Sequence, residues 1–245
     1  LIKTTNQFIN FLMSIELLPH PTPSRADMAK AKLLEAGLQC FADRGPDGVS
    51  IREIARISGQ NSASIAYYFG GKEGLYRAVL EAVMRFFRAQ VLEAQASWVE
   101  AKDGAVGPRE AVALLKRIQR AFALAILTDA KAAQFALLMA REQTQPTAAF
   151  ENLYRETVEP LHRMLSHILA RITGDDPESP RAVLRAHALI GQLQSFVMAR
   201  ETLLRRVGWD GYDDARATDV ADLLAENLDI FVAGLQARAR KDTSA

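Results

Sequence analysis

Between residues 50 and 76 the chain reads SIREIARISGQNSASIAYYFGGKEGLY, and the side chains there with chemistry to offer are hydroxyls, amides, phenols and cations. Ser50, Ser62 and Ser64 carry hydroxyls, Gln60 and Asn61 carboxamides, Tyr67 and Tyr68 phenols, Arg52 a guanidinium and Lys72 an ammonium. The chain has no Gly-rich phosphate loop, no G-x-S-x-G elbow, no H-E-x-x-H pair and no credible paired carboxylates, so this chemistry is recognition by hydrogen bonding, not catalysis. Asn and Gln suit the adenine edge in the DNA major groove, whereas phenols and ammonium groups donate to phosphate oxygens.

Two short helices must present these groups. Ser50 is a good N-cap, and Glu53 three residues later completes a capping box, so a helix begins here and runs through Ile51, Ile54, Ala55 and Ile57 until Gly59 stops it. A second helix restarts near Asn61 or Ser62, with Ile65 and Phe69 on one inward stripe. The opposite side is left to Ala63, Ser64 and Tyr67, with Tyr68 at the flank. Only one of two adjacent tyrosines can face fully inward, which leaves Tyr67 to donate its hydroxyl to a phosphate. Lys72, at the start of the next helix, is a second phosphate contact, and Ser50 and Arg52 are candidates for the same backbone. Base reading falls to Gln60, Asn61, Ser62 and Ser64, without the sequence deciding which of them reaches a base.

The residues Ser50, Arg52, Ile54, Ala55, Gly59, Ile65, Tyr67, Phe69, Lys72, Glu73 and Leu75 resemble the helix-turn-helix of the TetR family of transcriptional regulators. Gln60 and Asn61 replace the usual Val-Ser of that turn, and Ala63 stands where Gly is common. The variant GQNSASIAYYFGGKEGLY is similar to the CecR-type branch of the family, as are MAREQTQPTAAF, EPLHRMLSHILARITG and RAHALIGQLQSFVMARE further on. The resemblance covers about residues 25 to 235. It implies a regulator, usually a repressor, that binds double-stranded DNA as a homodimer and answers to a small-molecule effector of antibiotic-like character.

Composition permits this reading. The 245 residues are 49% hydrophobic and 24% charged, enough for a sizeable core, with a net charge of only +1. Between Ser24 and Arg88, 10 lysines and arginines face 7 aspartates and glutamates, so a modest basic excess falls on the DNA-binding segment. The single cysteine, Cys40, excludes an internal disulfide and a Cys-rich metal site and fits a cytoplasmic protein. It reads as a small core residue. Residues 1 to 23 make a poor signal peptide and are too short and interrupted to span a bilayer, so they are expected to be a disordered leader or arm.

The rest reads as helix: about 25 to 43, 72 to 102, 108 to 128, 131 to 142, 146 to 169 with Pro160 inside it as a kink, 180 to 206 and 213 to 240. The helix from Pro180 carries two stripes, Leu189, Leu193, Phe196 and Leu203 on one and the small residues Ala188, Gly191 and Ser195 on another. Two buried stripes require a second partner, and the resemblance implies that the last two helices of each copy pair into a four-helix bundle, so Leu189, Leu193, Phe196, Leu228 and Phe231 are the expected dimer contacts. Phe122, Met139, His162, His187 and Gln194 are the expected effector-pocket residues. The histidines suggest no metal, since His162 and His167 lie on different sides of a helix and no Cys or carboxylate completes a set; no cofactor is called for. Arg141 and Glu142, at a helix end, read as a surface cap more readily than as a buried charged pair.

The expected fold is therefore all-α. A three-helix helix-turn-helix domain (24–71) is followed by a larger helical effector-binding and dimerisation domain (72–240) and a disordered tail (241–245). Two rivals are an enzyme with a helical active site, for which no motif speaks, and a dimeric interaction module without DNA binding, against which the intact Tyr67, Phe69 and Lys72 set argues.

Overall fold

The computed structural model describes residues 24–103 and 107–242, with side chains described except at 89–103, 236 and 238–242. The expectations for residues 1–23 and 243–245 lie outside the described residues. Every regular element among the described residues is helical. In chain order they are α1 (Arg25–Arg44), α2 (Ile51–Ser58), α3 (Ser62–Phe69), α4 (Lys72–Asp103), α5 (Pro108–Thr128), α6 (Ala130–Thr144), α7 (Phe150–Leu153), a π-helical turn (Tyr154–Val158), α8 (Glu159–Thr173), α9 (Pro180–Met198), α10 (Arg200–Val207) and α11 (Asp214–Asp242).

These elements divide into two compact units. One comprises the described residues up to Arg88 together with Gln134–Tyr154; the other comprises Ala89–Ala133 and the residues from Arg155 onward. The start of α4 and most of α6 thus pack with the three N-terminal helices.

In the first unit, α1 is closed at its start by Ser24, whose Oγ accepts from the Asp27 amide at 3.1 Å while the Asp27 carboxylate accepts from the Ser24 amide at 3.0 Å. Leu33, Leu38, Phe41, Ile54, Ile65, Leu75 and Leu80 are buried and supply the core of this unit. Gly37 lets α4 come close, since a Cβ there would stand 3.2 Å from Val79 Cγ2. The turn into α4 has no room for a side chain at Gly74, where a Cβ would lie 1.6 Å from the Phe69 carbonyl oxygen. Cys40 is buried as expected, and burial pushes its thiol pKa up, against a smaller opposing pull from Arg44.

In the second unit one core joins Leu114, Leu115 and Ile118 of α5, Met164, Leu165 and Ile168 of α8, Ala186 and Leu189 of α9, and Leu228 and Val232 of α11. A second joins Ala123 and Leu127 of α5 to Ala217, Val220, Ala221 and Leu224 of α11, with Leu193, Phe196 and Trp209 against it.

Three expected helices end differently. The stretch 146 to 169 is not one kinked α-helix: α7 gives way to the π turn, and Pro160 sits in the first turn of α8. A proline lacks the N–H that a continuous α-helix needs and its ring collides with the carbonyl four residues back, so the wider turn just before it removes both conflicts. The stretch 180 to 206 breaks at Ala199, where φ is −104° and ψ 25°. Tyr212 Oη donates to the Phe196 carbonyl at 2.9 Å and so occupies the acceptor that an unbroken helix would offer to the Arg200 amide. Finally, α11 continues to Asp242, two residues into the expected tail.

Candidate nucleic-acid interface

The α2–α3 pair is built as the sequence dictates. Ser50 Oγ accepts from the Glu53 amide at 3.2 Å and starts α2. The Glu53 carboxylate does not return to the Ser50 amide, however, so the capping box is only half formed; it takes a hydrogen bond from Arg44 at 2.7 Å instead. That hydrogen bond holds the Glu53 carboxyl below the usual carboxylate range. Gly59 ends α2 in the left-handed conformation, φ 66° and ψ 24°, which favours glycine there. Asn61 Oδ1 then accepts from the Ala63 amide at 3.0 Å and caps α3.

Ile65 is fully buried and anchors α3, while Phe69 is half-buried. The outward side carries Ser62, Ala63 and Tyr67, with Ser64 half-buried beside them. Tyr67 is 83% exposed, an unusual state for a large aromatic, and leaves its phenol open to solvent. Arg52 is also exposed, on α2.

The other expected contacts are partly committed to the protein itself. The Tyr68 ring lies edge-on to Tyr67 at 5.0 Å between centroids, and Lys30 stands over it at 5.5 Å, a cation the sequence reading missed because α1 carried no recognition motif. Lys72 Nζ donates to the Val49 carbonyl at 3.4 Å, tying the start of α4 to the start of α2 and leaving two ammonium donors. Gln60 Nε2 turns back to the Gly59 carbonyl at 3.2 Å, and Asn61 spends its carbonyl oxygen on the cap, so neither carboxamide stands free to read a base with both atoms.

Of the expected pocket residues, the second unit brings His162 and His187 together, with ring centroids 5.4 Å apart and planes tilted by 32°. His162 is half-buried, and burial, reinforced by His187, pushes its imidazole pKa below the ordinary value. His187 is exposed and Gln194 half-buried; Phe122 packs against the larger core. Met139 belongs to the first unit, the other four to the second. The carboxamide oxygens of Gln119 and Gln192 and the Ser166 hydroxyl are buried without a hydrogen-bond partner, which nothing in their sequence context signals.

The His162 shift carries a pH prediction. Because the folded protein binds that proton less readily than the unfolded chain, stability is complete above about pH 6.5 and declines as pH falls through that value toward the lowered one. The melting temperature of the wild type should therefore fall more steeply between pH 7 and pH 5 than that of His162→Gln; equal slopes would contradict it.

Of the expected dimer contacts, Leu228 is fully buried and Leu189 nearly so within one protomer, while Phe231, Leu193 and Phe196 are half-buried and pack against the same two cores. What α9 and α11 leave outward is Leu184, 68% exposed, and Ile230, 72% exposed, with Val183, Met198 and Leu223 also exposed and the small residues Ala188 and Ser195 along the same side of α9.

Among the described residues no group of three His, Cys, Asp or Glu side chains is placed to hold a metal ion, and no single helix is long and apolar enough to cross a membrane.

Comparison with known proteins converges on this site. Residues 33–79 match the family model of bacterial regulatory proteins, tetR family, and residues 111–235 match that of the C-terminal domain of the HTH-type transcriptional dual regulator CecR. The CecR protein of Shigella flexneri is 32% identical over 219 residues, which cover 88% of this chain and 96% of that one. Among solved structures, a TetR-like transcriptional regulator from Rhodococcus sp. RHA1 superposes with a TM-score of 0.60 at 22% identity, covering 86% of this chain and 98% of that chain. AibR, solved with isovaleryl coenzyme A and operator DNA, gives 0.58 at 18% identity, covering 80% and 96%. These two likenesses concern the fold.

Proposed function

This chain belongs to the TetR family of bacterial regulatory proteins and is a DNA-binding transcriptional regulator with a CecR-type C-terminal domain; from that premise we propose that it is an effector-released repressor acting as a twofold homodimer. Each protomer lays α3 in a major groove of a palindromic operator, the two helices about 34–36 Å apart. Tyr67 and Lys72 bond phosphates and fix the register, and Ser62, Ala63 and Ser64 approach base edges, with Gln60 and Asn61 shaping the turn that delivers them. The observation that carries this reading is Tyr67, a phenol left in solvent beside small residues on a helix anchored by Ile65.

The dimer is closed by the outward sides of α9 and α11, with Leu184 and Ile230 among its contacts, because apolar side chains this exposed favour burial against a second copy. The effector is apolar or amphipathic and enters the second unit, whose core offers many Leu and Ile side chains with Met164, Phe122 and Phe231, beside the His162–His187 pair. It acts by binding one conformer more tightly than another, the only way a ligand shifts such an equilibrium. That AibR was solved with both an acyl-coenzyme A and operator DNA supports a fold able to hold both ligands. The reducing cytoplasm suits the single buried Cys40. A second reading, activation at some promoters, draws on the designation of the Shigella relative as a dual regulator.

A mobility-shift assay on DNA from around its own gene tests the proposal. Tyr67→Phe should lose about a hundredfold or more in affinity, since each protomer of the dimer gives up one hydrogen bond to a charged oxygen. Lys72→Ala should lose a similar factor and, with one phosphate contact removed per protomer, lower the slope of log affinity against log salt by about two. Wild-type affinity in both variants would remove these residues from the interface.

A further inference from the structure

Glu142 is a charged residue that the DNA-binding surface does not use and the core does not explain. It is fully buried. Its Oε1 accepts the phenol proton of Tyr76, on the second turn of α4, and its Oε2 accepts from the Thr147 amide at 3.2 Å and the Thr147 hydroxyl at 3.0 Å. Thr147 Oγ1 in turn accepts from the Ala149 amide at 3.2 Å, so the whole turn after α6 is organised around one carboxylate. Tyr76 is itself buried and packs edge-on against Phe41 of α1 at 5.0 Å. Burial and the facing Glu142 push its phenol pKa far upward, so it stays a donor at all ordinary pH.

The preceding residue reaches the other flank. Arg141 Nη2 donates at 3.2 Å to the Asp43 carbonyl, in the last turn of α1 where helix carbonyls lack an intrahelical donor. Gly45 just beyond takes φ 73° and ψ 173°, a backbone conformation that favours glycine. Adjacent residues at the end of α6 thus grip the two helices, α1 and α4, that frame the α2–α3 reading pair. Arg44 to Glu53 and Lys72 to the Val49 carbonyl carry the grip from those helices to α2.

We propose that Glu142, with Tyr76 and Arg141, is a positioning residue for DNA recognition: it locks residues 134–154 onto the frame of the helix-turn-helix, and the angle at which α3 is offered to DNA depends on that lock. A buried carboxylate with three donors is stable only while all three stay in place, so it defines one geometry rather than a range of them. Removing one donor frees a flank without removing any residue that faces DNA.

The test uses the full-length protein with two exposed sites in the first unit, Arg56 and Glu151, replaced by cysteine and spin-labelled; the native Cys40 is buried. The inter-label distance is measured with labelled protein diluted into excess unlabelled protein, so that a dimer carries labels on one protomer only, and binding to the DNA flanking its own gene is measured in parallel, in wild-type, Tyr76→Phe and Glu142→Gln backgrounds. Tyr76→Phe keeps the ring against Phe41 and so serves should Glu142→Gln fail to fold. The proposal expects a single narrow distance in the wild type, a broadened or shifted one in the variants with helix content retained, and at least a tenfold loss of DNA affinity. Affinity within twofold of wild type overturns it. So does a loss of affinity with an unchanged distance distribution, because the residue is then structural without positioning α3. Absence of wild-type binding to that DNA would count against the proposed operator, and the distances alone would then decide whether the lock exists.

Discussion

Ile65→Ala should abolish DNA binding while leaving the second unit folded. Ile65 is the one fully buried side chain of α3, an eight-residue helix too short to hold together by itself. Truncating a buried isoleucine costs about 2–5 kcal/mol, and the cost falls on the element that carries Tyr67 and Ala63. Affinity for the native DNA target should drop by two orders of magnitude or more. Hydrogen exchange should show amides 62–69 losing protection while those of α5 and α11 keep theirs. Retained binding, or a loss of protection spread evenly over both units, would refute the assignment of α3 as the reading element.

The second large effect concerns the dimer. Leu184→Asp combined with Ile230→Asp places a carboxylate on each outward stripe of α9 and α11, where closing a second copy over it would strand an unpaired charge. The variant should sediment as a folded monomer. Its DNA affinity should fall about 10²–10⁴-fold, because each half-site is then bound without the effective concentration that a linked partner supplies. Leu228→Ala, by contrast, should lower stability without freeing the monomer, since that side chain is buried within its own protomer. A dimer that survives the double aspartate variant would move the interface elsewhere.

These two predictions lean on different depths of sequence information. The α2–α3 pair was legible because its signals are local: Ser50, Gly59 and Asn61 are caps whose effect ends within one turn, and Ile65 needs only helical periodicity to be turned inward. Helix starts at Pro108 and Pro180 were readable for the same reason. Which face would close a dimer is not legible in that way, because an apolar stripe reports that it will be covered without saying by what. Leu189 and Leu228 are covered by α5 and α8, and the exposed Leu184 and Ile230 are too few to stand out in an apolar helix. Glu142 was misread as a surface cap since its partners, Tyr76 and Thr147, lie 66 and 5 residues away, and only tertiary packing unites them. The break at Ala199 has the same origin in Tyr212, 16 residues beyond the carbonyl it takes.

The central claim is that α3 occupies the major groove, once per protomer. Methylation interference on the DNA flanking the chain's own gene tests it most directly, because guanine N7 lies in that groove. Interference is expected in two clusters separated by one helical turn, about 10–10.5 base pairs, on a twofold-related sequence. A complex indifferent to N7 methylation, or one sensitive in a single cluster, would contradict it.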